Sequence, residues 1–442
     1  MQEWLTQTAA ELGRGIEAGE ICPLALTRTY LDAIDAHPLR DRIFSAVTHD
    51  RAIAEATAAK ARAEQGQRLS LVDGVPISWK DLFDTAGTAT EAGSDLLAGR
   101  IPETDALVLR AATSLGTVCL GKTHMSELAF SGLGLNPVKA TPPCVHDADA
   151  APGGSSSGAA ASVAFGLAAC GIGSDTGGSV RIPSAWNDLV GLKTTSGRLS
   201  LEGVVPLCLK FDTIGPLARS VEDAAIYLGV MEGTSGPDLR GSSIKGMRFA
   251  DLRTVAQDDL EPTIADAYAD ALTKLRNAGA DIIPLEVPAL QEAMGLSPVL
   301  FTAEAYGLWR DVIEAAPHLM FPEILERFRS GKTFSGPDYV AAWAKLEQIR
   351  MEWDQATAGF DGILCPASPI LPPNMQRLQD DHDYYVRSNL MALRNTRIGN
   401  LMGLCGLSLP TGVPSCGLQI LGKPDCEEAL LRVGAAVEQA LA

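Results

Sequence analysis

The sequence lacks the patterns that mark metal, membrane and disulfide proteins. Its nine cysteines, at positions 22, 119, 144, 170, 208, 365, 405, 416 and 426, form no C-x-x-C pair, and its six histidines include no H-E-x-x-H. Zinc sites and disulfide frameworks need such spacings or an even count, so neither a metal nor a disulfide set is expected. Most of the cysteines stand among small or apolar residues, as in Ala169-Cys170-Gly171 and Leu404-Cys405-Gly406. That is the setting of a small core side chain. No run of 18 apolar residues is present, so no transmembrane helix is expected. The first residues, MQEWLTQTAAELGRG, have neither the basic nor the apolar segment of a secretory signal. A reducing, cytoplasmic setting is therefore the default expectation. Basic residues are also in short supply, 36 against 54 acidic, for a net charge of −18. This excludes nucleic acid and an anionic membrane surface as the expected main partners.

What is present is 442 residues, 46% of them hydrophobic, enough for a large buried core. Apolar residues at helical spacing predict helices near 3–18, 23–36 and 50–65. Short apolar runs at Leu71-Val72, 75–79, 117–120 and 169–174 read as buried strands, separated by helices over 104–115 and 158–169. Farther on, 247–252 and 281–287 read as strands around a helix at 259–278. A helical stretch covers 302–360, followed by a strand at 362–365, a helix near 384–403, strands at 407–410 and 418–421, and a closing helix at 426–441. This alternation predicts an α/β fold, a single large domain whose mixed, mainly parallel central sheet is flanked by helices. Within 1–442 the regions are a helical start (about 1–65), a core (about 66–235), a variable part (about 236–405) and C-terminal strands with a helix (about 406–442).

The segment Gly153–Ser179 is built mostly of Gly, Ala and Ser. A flexible linker fits poorly, because Ala159–Phe165 is a good helix former and Cys170–Gly173 a good buried strand. Small residues in ordered elements let backbones approach closely. Two loops bracket this pair: Gly153-Gly154-Ser155-Ser156-Ser157-Gly158 and Asp175-Thr176-Gly177-Gly178-Ser179. Neither has the order of a phosphate-binding loop, G-x-x-x-x-G-K-[ST] or G-x-G-x-x-G. The serines are their distinctive feature. Ser179 follows two glycines, where successive N–H groups can converge on a developing oxyanion. A serine nucleophile needs a base. The nearest histidines, His124 and His146, stand in no triad motif, and there is no G-x-S-x-G elbow.

These two loops, with Val180-Arg181-Ile182-Pro183 and Gly191-Leu192-Lys193 after them, closely resemble the amidase signature. Asp73–Asp81 resembles the strand that carries that family's catalytic lysine. Gly121–Leu128, Phe211–Arg219, Leu407–Pro410 and Gly417-Leu418-Gln419 are similar to further parts of the family pattern. The resemblance implies an amidohydrolase with a Ser-Ser-Lys triad and no cofactor. In it Ser179 is the nucleophile, Ser155 the relay on a cis peptide bond and Lys80 the base. It further implies an oxyanion hole from the N–H groups of Thr176, Gly177, Gly178 and Ser179, with Ser156 and an Asp175–Arg181 ion pair as structural support. A lysine serves as base only when neutral, and burial among Val75, Ile77 and Trp79 would lower its ordinary pKa of about 10.4. The expected partner is a small-molecule amide, hydrolysed to carboxylate and ammonia or amine, with a homodimer left open as the assembly. The alternative is the glutaminase component of a tRNA-dependent amidotransferase, its A chain, although Ile182 stands where those chains usually carry Gln. A scaffold protein would be expected to lack Lys80, Ser155 or Ser179, and all three are present. Tyr306, Trp309 and Trp343 are candidates for a pocket wall, weighed against a place in the core.

Overall fold

The computed structural model describes residues 2–442. Eleven strands are β1 (Phe44–Val47), β2 (Pro76–Lys80), β3 (Val118–Thr123), β4 (Cys170–Asp175), β5 (Val190–Lys193), β6 (Thr213–Ala218), β7 (Arg248–Leu252), β8 (Asp281–Leu285), β9 (Gly362–Pro366), β10 (Gly406–Pro410) and β11 (Gly417–Leu421). They form one sheet in the order β1-β3-β2-β4-β6-β5-β10-β11-β9-β7-β8, flanked by helices in a single α/β domain.

The mixed sheet is as expected, but it is not mainly parallel. Four neighbouring pairs are parallel, β2 with β3 and β4, and β7 with β8 and β9. The other six are antiparallel. Parallel neighbours need a long crossover. Helix Leu107–Ser114 supplies one between β2 and β3, and Pro262–Asn277 one between β7 and β8. The middle of the sheet instead contains β5 and β6, which were not expected as strands, and the hairpin of β10 and β11. Gly215-Pro216 within β6 hides the usual strand signal, since Pro removes a ladder donor.

Other departures are local. Leu71 and Val72 lie in a turn, where Val75 N–H donates to Val72 O at 3.0 Å. Val72 is fully buried, so its apolar character reports the core and not a strand. The small-residue helix spans Ser157–Ala164 and stops short of 169, because Gly166 turns the chain at φ +74°. The helical stretch expected over 302–360 is broken into Ala303–Ala315, Pro322–Ser330 and Gly336–Thr357. Pro322 and Pro337 sit in the first turn of their helices, where a missing N–H does no harm.

Small residues set the distance between helix Ser157–Ala164 and the sheet. A Cβ on Gly171 of β4 would lie 2.7 Å from Ala159 O, and one on Gly158 would lie 2.6 Å from Ile43 O. This close packing brings the loop before the helix to the end of β4, beside the end of β2. Both loops therefore meet at the carboxyl ends of two parallel neighbours, β2 and β4. Open α/β sheets commonly place their sites at such strand ends.

Candidate active site

Lys80 is the last residue of β2 and is wholly enclosed, with 0% of its surface exposed. Its Nζ lies 2.7 Å from Ser155 Oγ and 2.8 Å from Ser174 Oγ, and no carboxylate pairs with it. Burial pushes the amine down to about 7, against the opposing pull of Asp212 and Asp175. Ser174, on β4, is a contact the sequence reading did not single out, although it lies inside the quoted motif. Nor did it find Asp212, whose carboxylate accepts from Thr176 Oγ1 at 2.5 Å and from the N–H groups of Leu207 and Cys208.

Ser155 follows a cis peptide bond to Gly154. A Cβ on Gly154 would lie 2.5 Å from Gly134 N, so the loop is pressed against residues 132–134. Gly154 N–H donates to Gly132 O at 2.8 Å, and Ser126 N–H to Ser155 O at 3.1 Å. Ser156 ties the two loops together. Its N–H donates to Ser179 O at 3.2 Å, and its Oγ donates to Ser174 O at 3.2 Å.

Ser179 is 3% exposed, and its hydroxyl makes no hydrogen bond among the described residues. The hydroxyl is nevertheless open to the neighbouring cavity. Ser155 Oγ and Ser179 Oγ make no hydrogen bond with each other; the bond from Ser156 N–H to Ser179 O is what joins the loops here. The N–H groups of Thr176, Gly177 and Ser179 also find no acceptor among the described residues. Gly178 differs from the other three candidate donors: its N–H already donates to Asp175 Oδ1 at 2.8 Å. Gly178 has φ +141°, and a Cβ there would lie 2.1 Å from Thr396 Oγ1, which itself donates to Gly177 O at 2.8 Å. Only glycine fits that turn.

Beneath the turn lies an ion pair between Asp175 and Arg181, both fully buried, at 2.9 and 3.0 Å. Burial alone would raise the Asp175 carboxyl, but Arg181 outweighs it and holds the carboxyl well below the usual range. Arg181 also donates to Thr396 O, Gln419 Oε1 and Asn400 Oδ1 at 2.6–2.7 Å. Those partners come from the far end of the chain; Gln419 stands in the quoted Gly417-Leu418-Gln419 run, and no local pattern announces Thr396 or Asn400. Neither histidine near the motif joins the site: His146 faces Asp188 at 2.7 Å, and the His124 backbone carbonyl accepts from Gly158 N–H.

A cavity of about 30 Å³ opens at Ser179, Thr176 and Gly177 and continues into one of about 280 Å³. The two share Phe301, Arg327 and Arg397. Tyr306, Trp309 and Trp343 line neither cavity. Trp309 Nε1 donates to Pro206 O at 2.9 Å, and Trp343 stacks on Phe211 at 5.1 Å. The helical stretch does line the cavities, but through residues such as Thr302 and Arg327. A larger hollow, about 850 Å³, lies elsewhere, beside Arg14, Glu222 and Glu438, and no site residue lines it.

The family model for Amidase matches residues 25–431. The chain belongs to the amidase family. It is accordingly an amide C–N hydrolase. It is 33% identical to the A chain of a glutamyl-tRNA(Gln) amidotransferase from Anaeromyxobacter sp. (strain K), over 98% of this chain and 95% of that one. It is 34% identical to a 2-amino-5-chloromuconic acid deaminase of Comamonas testosteroni, over 88% and 86%. Among solved structures, the native peptide amidase of Stenotrophomonas maltophilia superposes with a TM-score of 0.82 at 27% identity, covering 99% of this chain and 98% of that one. No described helix is long and apolar enough to cross a membrane.

Proposed function

We propose that the chain hydrolyses a small carboxamide through an acyl-Ser179 intermediate, with Lys80 as general base and Ser155 as proton relay. One observation carries the reading. Lys80 is enclosed against two hydroxyls with no counter-ion, so its neutral form is accessible near pH 7. Neutral Lys80 takes the Ser155 hydroxyl proton while Ser155 takes that of Ser179, and Ser179 Oγ adds to the amide carbon. The free N–H groups of Thr176, Gly177 and Ser179 are aimed to receive the oxyanion; such donors typically contribute about 100- to 1000-fold each. The proton returns through Ser155 to the leaving nitrogen, the C–N bond breaks, and ammonia or an amine departs. Water then adds to the acyl-enzyme by the same route and releases the carboxylate. The Ser155–Ser179 link closes when substrate is bound, as catalytic hydrogen bonds often tighten only in the complex. Ser156 and the Asp175–Arg181 pair hold the two loops in place.

The test is ammonia release from a panel of aliphatic, aryl and urea-like amides by the purified chain. Ser179→Ala should lower kcat by more than about 10,000-fold. Turnover near the wild-type rate in that variant would refute the nucleophile. The likeness to amidotransferase A chains favours one second reading, a glutaminase that works with partner chains. It predicts that this chain alone leaves simple amides intact and gains activity only in a complex. Nine free cysteines fit a reducing, cytoplasmic setting.

A further inference from the structure

Two arginines are buried in this chain, and they are treated very differently. Arg181 has a carboxylate and three further acceptors. Arg397, 8% exposed, has no hydrogen bond and no ion pair among the described residues. It lines the cavity at Ser179. Arg327 lines the same cavity, held only by a bond to Phe130 O at 3.0 Å and by the Phe130 ring at 4.5 Å. No acidic residue lines that cavity. In the adjoining one, Glu323 pairs with His382 and Glu326 is exposed, and neither bridges to an arginine.

Two guanidinium groups thus face one small space without a counter-ion. Burial pushes Arg397 down to about 9, helped by the charge of Arg327, and pushes Arg327 down to about 10. Both still carry their proton at neutral pH. Buried charges are normally paired, and a planar guanidinium matches a carboxylate with two parallel hydrogen bonds. The chain as a whole carries −18, so a positive spot beside Ser179 runs against its general charge. We propose that the amide substrate is itself an anion, a monoamide of a short dicarboxylic acid or a close analogue, whose carboxylate is bound by Arg397 and Arg327 while its amide carbon meets Ser179. This rests on the reading of Ser179 as nucleophile.

The experiment compares kcat/KM for succinamate and glutaramate with butyramide and valeramide, neutral amides of the same chain lengths, in wild type, Arg397→Gln and Arg327→Gln. Wild type should favour the anionic amides by about 100-fold or more, because a site built for a polar group rejects the analogue lacking it. Each variant should collapse that ratio at least tenfold, with far-UV circular dichroism confirming the fold. In parallel, Ser179 is labelled with a fluorophosphonate in the presence of malonate, succinate, glutarate or adipate, or of the corresponding diamides. Protection by a dicarboxylate and not by its diamide supports the proposal, whichever chain length is turned over and whether or not a variant folds. Equal use of neutral and anionic amides, an unchanged ratio in folded variants, or equal protection by diamides would overturn it with the nucleophile still standing. If the fluorophosphonate leaves Ser179 unlabelled, the nucleophile reading fails and this proposal falls with it.

Discussion

Lys80 and Lys122 stand on neighbouring strands, one register position apart, and both are fully enclosed. Lys122 Nζ reaches Asp81 at 3.1 Å and Thr90 Oγ1 at 2.8 Å. Lys80 Nζ reaches two serine hydroxyls and nothing negative. The same residue type at the same depth therefore has two chemistries. A paired ammonium keeps its charge and braces the core, whereas an amine among hydroxyls can shed its proton and act as a base. The difference lies in the partner and not in burial, which lowers the pKa of both.

Four measurements press on that contrast. Lys80→Met should cost about 1000-fold in kcat/KM, the scale of a lost general base, with the thermal transition held or raised because no counter-ion is orphaned. A large fall in Tm there would place Lys80 with Lys122 as a structural residue. Lys122→Met should do the opposite. It strands the buried Asp81 carboxylate and should lower unfolding stability by about 3–5 kcal/mol in a denaturant titration. Adding Asp81→Asn should recover part of that loss; no recovery would mean the pair is not what Lys122 supplies. Third, log kcat/KM should rise with unit slope below pH 7 and level off above it. Lys80 must lose its proton to work, and its pKa is lowered to about 7. A profile flat between pH 5.5 and 8.5 would need another base. The smallest effect belongs to Ser174→Ala. Losing one hydrogen bond of about 1 kcal/mol should slow turnover roughly fivefold and move the pH midpoint. An unmoved midpoint would remove Ser174 from the environment of Lys80.

The sequence displayed the two loops because their serines and glycines are contiguous. The parts it hid are assembled from afar. Asn400 and Gln419 beneath the turn come from separate elements; Asn400 carries no local pattern, and the Gly417-Leu418-Gln419 run does not show that Gln419 meets Arg181. Arg397 and Arg327 belong to stretches that read only as helical, so their exposure to a shared cavity emerges only in three dimensions. The strand–helix rhythm suggested parallel neighbours. It could not reveal that β5, β6 and the last hairpin fill the middle of the sheet, since Gly215-Pro216 blurs β6 and Gly406 pairs with the distant Lys193. Gly178 is expected among the oxyanion-hole donors, yet its amide is committed to Asp175, a fact of orientation that spacing does not carry.

The last hairpin has a consequence for synthesis. β10 and β11 occupy the centre of the sheet, between the half ending at β5 and the half beginning at β9. A ribosome delivers them after both halves, and chains emerge at roughly 5–20 residues per second. Until residue 419 leaves the exit tunnel, Arg181 lacks its Gln419 contact, 238 positions downstream. The Ser179 loop is fully braced only after the hairpin that joins the two halves has emerged.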